Sequence, residues 1–210
     1  MKPLHRWVLA LAACTWVAAV GVGFTLLARY STDAGASAAA PQVWPLDSRM
    51  APPDGHYRLV MTLHPNCPCS RASVVELNNL MSLLRRDNVR GSVLVVKPAE
   101  FPDAWIDTES VRNARRIDGV DVLVDVDGVE SARLGAQTSG QVLLYGPDRQ
   151  LRFAGGLTPD RGHQGDSPGR QRIVSLIKNG KADARESLVF GCPLGVTVCP
   201  RPTAPAGKGL

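Results

Sequence analysis

The residues best suited to chemistry lie in one short segment, His64-Pro65-Asn66-Cys67-Pro68-Cys69-Ser70-Arg71. It places two thiols, Cys67 and Cys69, on either side of a single proline, with the imidazole of His64 close by. A thiolate is the nucleophile of thiol-disulfide exchange, and thiolates combined with an imidazole also suit Cu(I) or Zn(II). The segment therefore predicts either disulfide exchange or metal binding.

The sequence on either side of this segment predicts a turn between a strand and a helix. Residues 57–63 (YRLVMTL) are rich in β-forming types and lead into Pro65, which is typical of a strand that ends in a loop. From Ser70 to the pair Arg85-Arg86, apolar residues recur every three or four positions, which predicts a helix. The free N–H groups at the start of that helix favour a thiolate, and Arg71 adds a positive charge.

The rest of the chain predicts a central mixed sheet. Strands alternate with helices at first, and an antiparallel hairpin around Gly146-Pro147-Asp148 comes last, before a closing helix. Parallel crossovers place helices on both faces of such a sheet, so the predicted class is an α/β sandwich. The expected elements are strands at 92–96, 120–126, 141–145 and 151–154 and helices at 108–117 and around 173–177.

A membrane segment is predicted before this body. Residues 7–28 contain no charged residue and are long enough to cross a hydrocarbon core of about 30 Å. Basic residues are more frequent before the segment than just after it, which predicts a cytoplasmic N-terminus (1–6) and export of the remainder. A cleaved signal peptide is the alternative, because small residues at 36–40 fit a cleavage site, but the apolar segment is longer than a usual signal core.

Composition sets the remaining boundaries. Residues 29–53 are rich in Ala, Ser and Pro and predict a linker, residues 54–195 form the predicted domain, and residues 196–210 predict a flexible tail. The net charge is +5, but the basic residues are dispersed and not interleaved with aromatic residues, so we expect no nucleic-acid partner.

Besides Cys14 in the apolar segment, the chain has four cysteines that export would place in an oxidising compartment. Four cysteines permit three pairings. Cys192 and Cys199, separated by Pro193 and Gly195, most resemble a structural disulfide. Alternatively, either of them resolves a disulfide at the first pair if the C-terminal segment folds back.

The motif and the elements around it resemble the thioredoxin-like superfamily, in particular exported thiol-disulfide oxidoreductases of the TlpA/redoxin kind. The resemblance rests on HPNCPCSRA, on VLVDVDGVESARLGA (122–136) and on the hairpin QVLLYGPDRQLRFAGG. The first of these, with GLTPDRGHQGD and FGCPL, is also similar to bacterial proteins labelled RedB. The resemblance implies a three-layer sandwich with a central mixed sheet. Together with the apolar segment before it, this predicts a single-pass protein of the bacterial inner membrane with its domain on the periplasmic side.

Two departures from the family pattern concern the site itself. The usual motif is C-x-x-C with proline before the second cysteine, and aligning Pro68-Cys69 on it leaves Asn66 where the attacking cysteine would stand. Family members also place a cis-proline beside the cysteines, before the hairpin strand. Here the corresponding segment is Thr138-Ser139-Gly140, with Gly140 in that place, so we expect substrate docking to differ.

These observations assign roles for thiol-disulfide exchange. Cys67 is predicted to be the more exposed, attacking thiol, and Cys69 the resolving one. A C-x-C disulfide closes a small, strained ring and should be oxidising. The predicted partners are thiols or disulfides of exported proteins, and no cofactor is expected. The predicted supporting residues are His64, Pro68, Arg71 and Gly140.

Two alternatives stay open. In the first, His64, Cys67 and Cys69 bind copper for delivery to an acceptor, with His163 as a distant fourth ligand. In the second, the chain is a redox-silent adaptor. Arg161 and His163 lie in a glycine-rich stretch and would either form an anion-binding lip over the cysteines or simply be exposed.

Overall fold

The computed structural model describes residues 3–37 and 39–195, and for residues 3–5 the backbone only. It contains a single N-terminal helix, α1 (Pro3–Thr32), and a compact domain that begins at Ala34. Within α1, the stretch Arg6–Thr32 is long and apolar enough to cross a membrane, a property that signal sequences share. Retention of this helix as an anchor therefore stays a prediction.

The domain is built on one five-stranded mixed sheet with the strand order β3-β2-β1-β4-β5. The central strand β1 pairs in parallel with β2 and antiparallel with β4. At the two edges, β3 is parallel to β2 and β5 is antiparallel to β4. The strands are β1 (Tyr57–Leu63), β2 (Val89–Lys97), β3 (Val120–Val126), β4 (Gln141–Tyr145) and β5 (Leu151–Gly156).

Helices connect and close the sheet. A 3-10 helix (Asp103–Ile106) precedes α3, and the remaining helices are α2 (Ser70–Leu83), α3 (Glu109–Ala114), α4 (Val129–Arg133) and α5 (Pro168–Asn179). The mixed sheet with helices, which the sequence predicted, is confirmed. The 3-10 helix and α4 were not predicted.

The central strand is buried on both faces because its side chains alternate between two apolar layers. Leu59, Met61 and Leu63 face a layer that includes α2 and α5. Val60, between them, faces the opposite layer with Tyr145. This burial fixes the end of β1, and with it the start of the segment that carries the cysteines.

The segment before β1 belongs to the domain from Ala34 onward. Trp44 is 3% exposed and packs edge-on against Tyr145, with ring centroids 5.1 Å apart. Gln42 accepts a hydrogen bond from the amide of Leu151, and Val43 pairs with Gln150. The sequence placed a linker over residues 29–53, whereas in the structure the residues from Ala34 onward belong to the domain, so the domain starts earlier than residue 54.

Candidate functional site

Three cysteines from two distant parts of the chain meet at the start of α2. Cys69 occupies the N-cap position of α2, and Cys67 precedes it in the turn after β1. Cys192 comes from the segment that follows α5. The three side chains form one buried cluster, with exposed fractions of 3% for Cys67, 6% for Cys69 and 3% for Cys192.

Cys192 is held there by a short antiparallel pairing. Its carbonyl accepts a hydrogen bond of 2.8 Å from the amide of Ser139, and the amide of Leu194 donates to the carbonyl of Gln137 over 2.9 Å. Between these two bonds, Thr138 and Pro193 form an antiparallel bridge. We call residues 191–194 the C-terminal segment. It lies along the loop before β4 and brings its cysteine to the other two.

A glycine makes this approach possible. A Cβ built on Gly191 would lie 1.9 Å from the carbonyl oxygen of Ser139, closer than any real contact. Any other residue at position 191 would push the C-terminal segment away from the loop before β4. The sequence pattern FGCPL therefore has a structural reason for its glycine.

Hydroxyl groups join the loop before β4 to the cysteine turn. The amide of His64 donates to Ser139 Oγ over 2.9 Å, and Ser70 Oγ donates to the carbonyl of His64 over 3.1 Å. The two hydroxyls are themselves 3.0 Å apart. Sequence reasoning missed Ser70 and Ser139, although a serine at a predicted helix start and another beside Gly140 were the available signals.

Gly140, which precedes β4, has a backbone conformation that requires a glycine. Its φ is +87°, a conformation that favours glycine. Its amide donates to the carbonyl of Thr62 over 2.7 Å, and a Cβ would lie 2.7 Å from Ser73 Oγ. A proline fits neither the positive φ nor the donated hydrogen bond. Among the described residues there is no cis peptide bond.

The protonation of Cys69 is set by its neighbours. A hydrogen bond with Cys67, and then burial, raise the pKa of the Cys69 thiol well above its usual value of 9.0, while Arg161 acts in the opposite direction. Two adjacent thiols resist a double negative charge. Cys69 thus keeps its proton at neutral pH.

Cys67 is reached from a cleft. The prediction that Cys67 is the more exposed thiol of the pair is wrong, because Cys67 is 3% exposed and Cys69 6%. Cys67, however, lines an open cleft of about 540 Å³. Among the described residues that line this cleft, Cys67 is the only one of the three cysteines. Pro68 is exposed on its rim.

Arg71 also lines this cleft and forms an ion pair there. Its Nη2 forms an ion pair of 3.1 Å with Glu109 Oε2 of α3, and both side chains are largely exposed. Arg161 also acts on this site: it lowers the pKa of the Cys69 thiol, and its Nη1 donates to the carbonyl of Gly191 over 2.7 Å. His163, which the sequence placed with it, is exposed and pairs with Asp160.

Glu76 of α2 fixes the segment that carries Arg161. Its carboxylate is 1% exposed and accepts hydrogen bonds from the amide of Gly165 at 2.8 Å and from Arg170 Nη1 at 3.0 Å. A buried carboxylate is stable only when it is paired in this way. Sequence reasoning missed Glu76. It lies two residues after the buried Val74 in α2 and is itself buried.

His64, which the sequence offered as a metal ligand, lies in the turn between β1 and the cysteines. Its ring is fully buried and packs edge-on against Trp105 at 5.5 Å, and its Nδ1 accepts a hydrogen bond of 3.2 Å from the amide of Asn66. In the part of the chain that the structure describes, no group of three or more His, Cys, Asp or Glu side chains is arranged to hold a metal ion.

The predicted disulfide between Cys192 and Cys199 cannot be compared with the structure, because Cys199 lies outside the described residues. The structure does show that Cys192 packs against Cys67 and Cys69. This is the arrangement that the sequence allowed as an alternative, in which the C-terminal segment folds back.

The strand order and the cysteines at the first strand-to-helix turn agree with the fold class that the sequence predicted, and membership of the thioredoxin-like superfamily stays a prediction. No protein-family model matches the sequence, and no curated protein matches it. The narrower TlpA/redoxin and RedB resemblances stay predictions.

Solved structures share this fold at low sequence identity. A hypothetical protein of Sinorhizobium meliloti 1021 aligns with a TM-score of 0.57 and 17% identity over 79% of this chain and 95% of that one. An uncharacterized conserved protein of Geobacillus kaustophilus aligns with a TM-score of 0.56 and 15% identity over 82% of this chain and 94% of that one. At such identities the similarity is one of fold.

Proposed function

We propose that this chain exchanges thiols and disulfides with exported proteins through Cys67 and Cys69. The observation that carries the proposal is the cluster of cysteines at the start of α2, of which Cys67 alone among the three lines an open cleft. A thiol at a helix N-terminus that a partner can reach is the arrangement that disulfide exchange requires.

In the proposed reaction, the Cys67 thiolate attacks one sulfur of a partner's disulfide. A mixed disulfide forms, and the first partner thiolate leaves. A second thiol of the cluster then attacks the Cys67 sulfur, so that the second partner thiolate leaves and a disulfide remains in this chain. Two electrons pass from the cluster to the partner, and the same steps in reverse oxidise a partner dithiol.

The proposed location is the bacterial inner membrane, with α1 as a single-pass anchor and the domain on the periplasmic side. Support comes from the apolar stretch Arg6–Thr32 and from the excess of basic residues before it. An oxidising compartment is also where a protein disulfide persists as a substrate. The proposed partners are therefore exported proteins, not nucleic acids.

A redox titration of the full chain in detergent micelles tests the proposal. In a Cys14→Ser background, the thiols are trapped with an alkylating mass tag across a series of glutathione redox potentials. We expect reversible loss of tagging at Cys67 and at a second cysteine of the cluster, and no formation of mixed disulfide in the Cys67→Ser variant. An unchanged tagging pattern at every potential contradicts the proposal.

The two alternatives from the sequence predict different results in the same preparation. A copper carrier retains Cu(I) against a moderate competitor and loses it in Cys67→Ser, without needing any oxidation of its thiols. A redox-silent adaptor keeps its cellular function in the Cys67→Ser, Cys69→Ser double variant. Either result replaces disulfide exchange as the function of the site.

A further inference from the structure

The third cysteine of the cluster has a defined position that the two-cysteine reaction does not use. Cys192 is as buried as Cys67 and packs in the same cluster. Two contacts with the loop before β4 fix its backbone. The amide of Ser139 donates a hydrogen bond to the carbonyl of Cys192, and the next residue, Pro193, forms an antiparallel bridge with Thr138. A chance contact of a flexible tail would not have this ordered backbone.

We propose that Cys192 is the resolving cysteine of this site, so that the mixed disulfide formed at Cys67 is converted into a Cys67–Cys192 disulfide. This inference rests on the proposed function and names the second thiol of the reaction. Its basis is the juxtaposition of the three sulfurs by the C-terminal segment together with the access of Cys67 alone to the cleft.

The chain geometry favours Cys192 over Cys69 as the first partner of Cys67. A disulfide needs its two Cα atoms about 4.4 to 6.8 Å apart and a dihedral angle near 90°. Two cysteines separated by one residue meet these conditions only by closing a small ring that contains Pro68. Cys192 arrives on a separate segment, so its disulfide carries no such ring restriction.

The proposed step balances as follows. After a partner disulfide has been attacked, Cys67 holds one partner sulfur. The Cys192 thiolate attacks the Cys67 sulfur, the Cys67–Cys192 bond forms and the bond from Cys67 to the partner breaks. The partner leaves as a thiolate that takes up a proton, and the two electrons come from the thiols of Cys67 and Cys192. Cys69 remains a thiol that exchanges with the new disulfide.

Oxidised glutathione is a suitable probe for the full chain in detergent micelles, in the Cys14→Ser background. The glutathione adduct at Cys67 is followed over time by mass spectrometry, and the protein disulfides are mapped after digestion without reductant. We expect the adduct to persist at least about tenfold longer in Cys192→Ser than in the parent chain. We also expect a Cys67–Cys192 disulfide in the parent and in Cys69→Ser.

Two glycine substitutions test the positioning without removing a sulfur. Gly191→Ala should displace the C-terminal segment and lengthen the lifetime of the adduct in the same way as Cys192→Ser, because its Cβ would meet the Ser139 carbonyl. Gly195→Ala is the matched control, since no atom lies within 4 Å of its Cβ position. Its adduct lifetime should equal that of the parent.

The outcomes separate this inference from the proposed function. If the adduct forms at Cys67 but decays equally fast with and without Cys192, Cys69 is the resolving thiol and the inference is overturned while the function stands. If Cys199→Ser, and not Cys192→Ser, lengthens the adduct lifetime, the assignment is also overturned. If no variant forms an adduct at Cys67, the proposed function itself fails.

Discussion

The amide of Ser139 donates a hydrogen bond of 2.8 Å to the carbonyl of Cys192. This bond joins the loop before β4 to the C-terminal segment, and Ser139 also receives the amide of His64 through its hydroxyl. Ser139 thus binds both segments that supply the cysteine cluster, the turn after β1 and the C-terminal segment. The geometry of the cluster consequently depends on the loop before β4 as much as on α2.

Replacement of Gly140 should destabilise the domain beside the site. In Gly140→Ala, the alanine must adopt a positive φ and its new Cβ would lie 2.7 Å from Ser73 Oγ. Because both effects strain the folded state, we expect a loss of about 2 to 3 kcal/mol in the free energy of unfolding. Gly162→Ala is the control, because it has a φ of +73° without any atom near its Cβ position. Denaturant unfolding measures both variants.

A second substitution separates the two causes. Ser73→Ala removes the hydroxyl that the new Cβ would meet, so the double variant should recover part of the loss and leave the cost of the backbone conformation. Additive losses in the two single variants would show that Gly140 and Ser73 do not interact.

Removal of the Glu76 carboxylate should loosen the segment that carries Arg161. Glu76→Ala leaves Arg170 without its buried partner and the amide of Gly165 without an acceptor, and we expect a loss of about 3 kcal/mol. Hydrogen exchange should rise at residues 160–166. The exposed ion pair between Arg71 and Glu109 provides the control, since Glu109→Ala should change stability by less than about 1 kcal/mol.

Trp44 tests whether the segment before β1 stabilises the domain. Trp44→Ala removes a buried ring that packs against Tyr145, and we expect a loss of about 3 to 5 kcal/mol in denaturant unfolding. Leu46→Ala, two residues on, is the control because Leu46 is 91% exposed. Equal stability of the two variants would mean that the segment is a free linker after all.

Stability should decrease at alkaline pH. The hydrogen bond with Cys67, followed by burial, raises the pKa of Cys69 above its usual 9.0, and burial raises the pKa of Tyr145 above its usual 10.0. Below pH 9 these groups are protonated in both states and have no effect. Above it the unfolded chain loses protons that the folded chain keeps, so the free energy of unfolding falls as pH rises.

This pH dependence is measured by denaturant unfolding between pH 8 and pH 11. Cys69→Ser should reduce the slope from about pH 9, and Tyr145→Phe from about pH 10, because each removes one group that ionises only in the unfolded chain. A slope that is the same in both variants and in the parent contradicts the assignment.

The sequence predicted the elements that local patterns specify. The strand at residues 57–63 and the helix start at Ser70 were placed correctly, because β-forming composition and apolar periodicity are local properties. The short helix α4 was missed. It forms where the buried carboxylate of Asp125 accepts hydrogen bonds from the amides of Glu130 and Ser131, a contact that no local pattern in the sequence reveals.

The sequence by itself determined that two thiols stand where a strand turns into a helix, because residue type, spacing and the apolar pattern are all written along a short stretch of chain. Only the tertiary structure decided that Cys192 joins them, that Cys67 is the one at the cleft, and that Gly140 and Gly191 allow the close approach. These features depend on the packing of segments far apart in sequence, whose register no local pattern encodes.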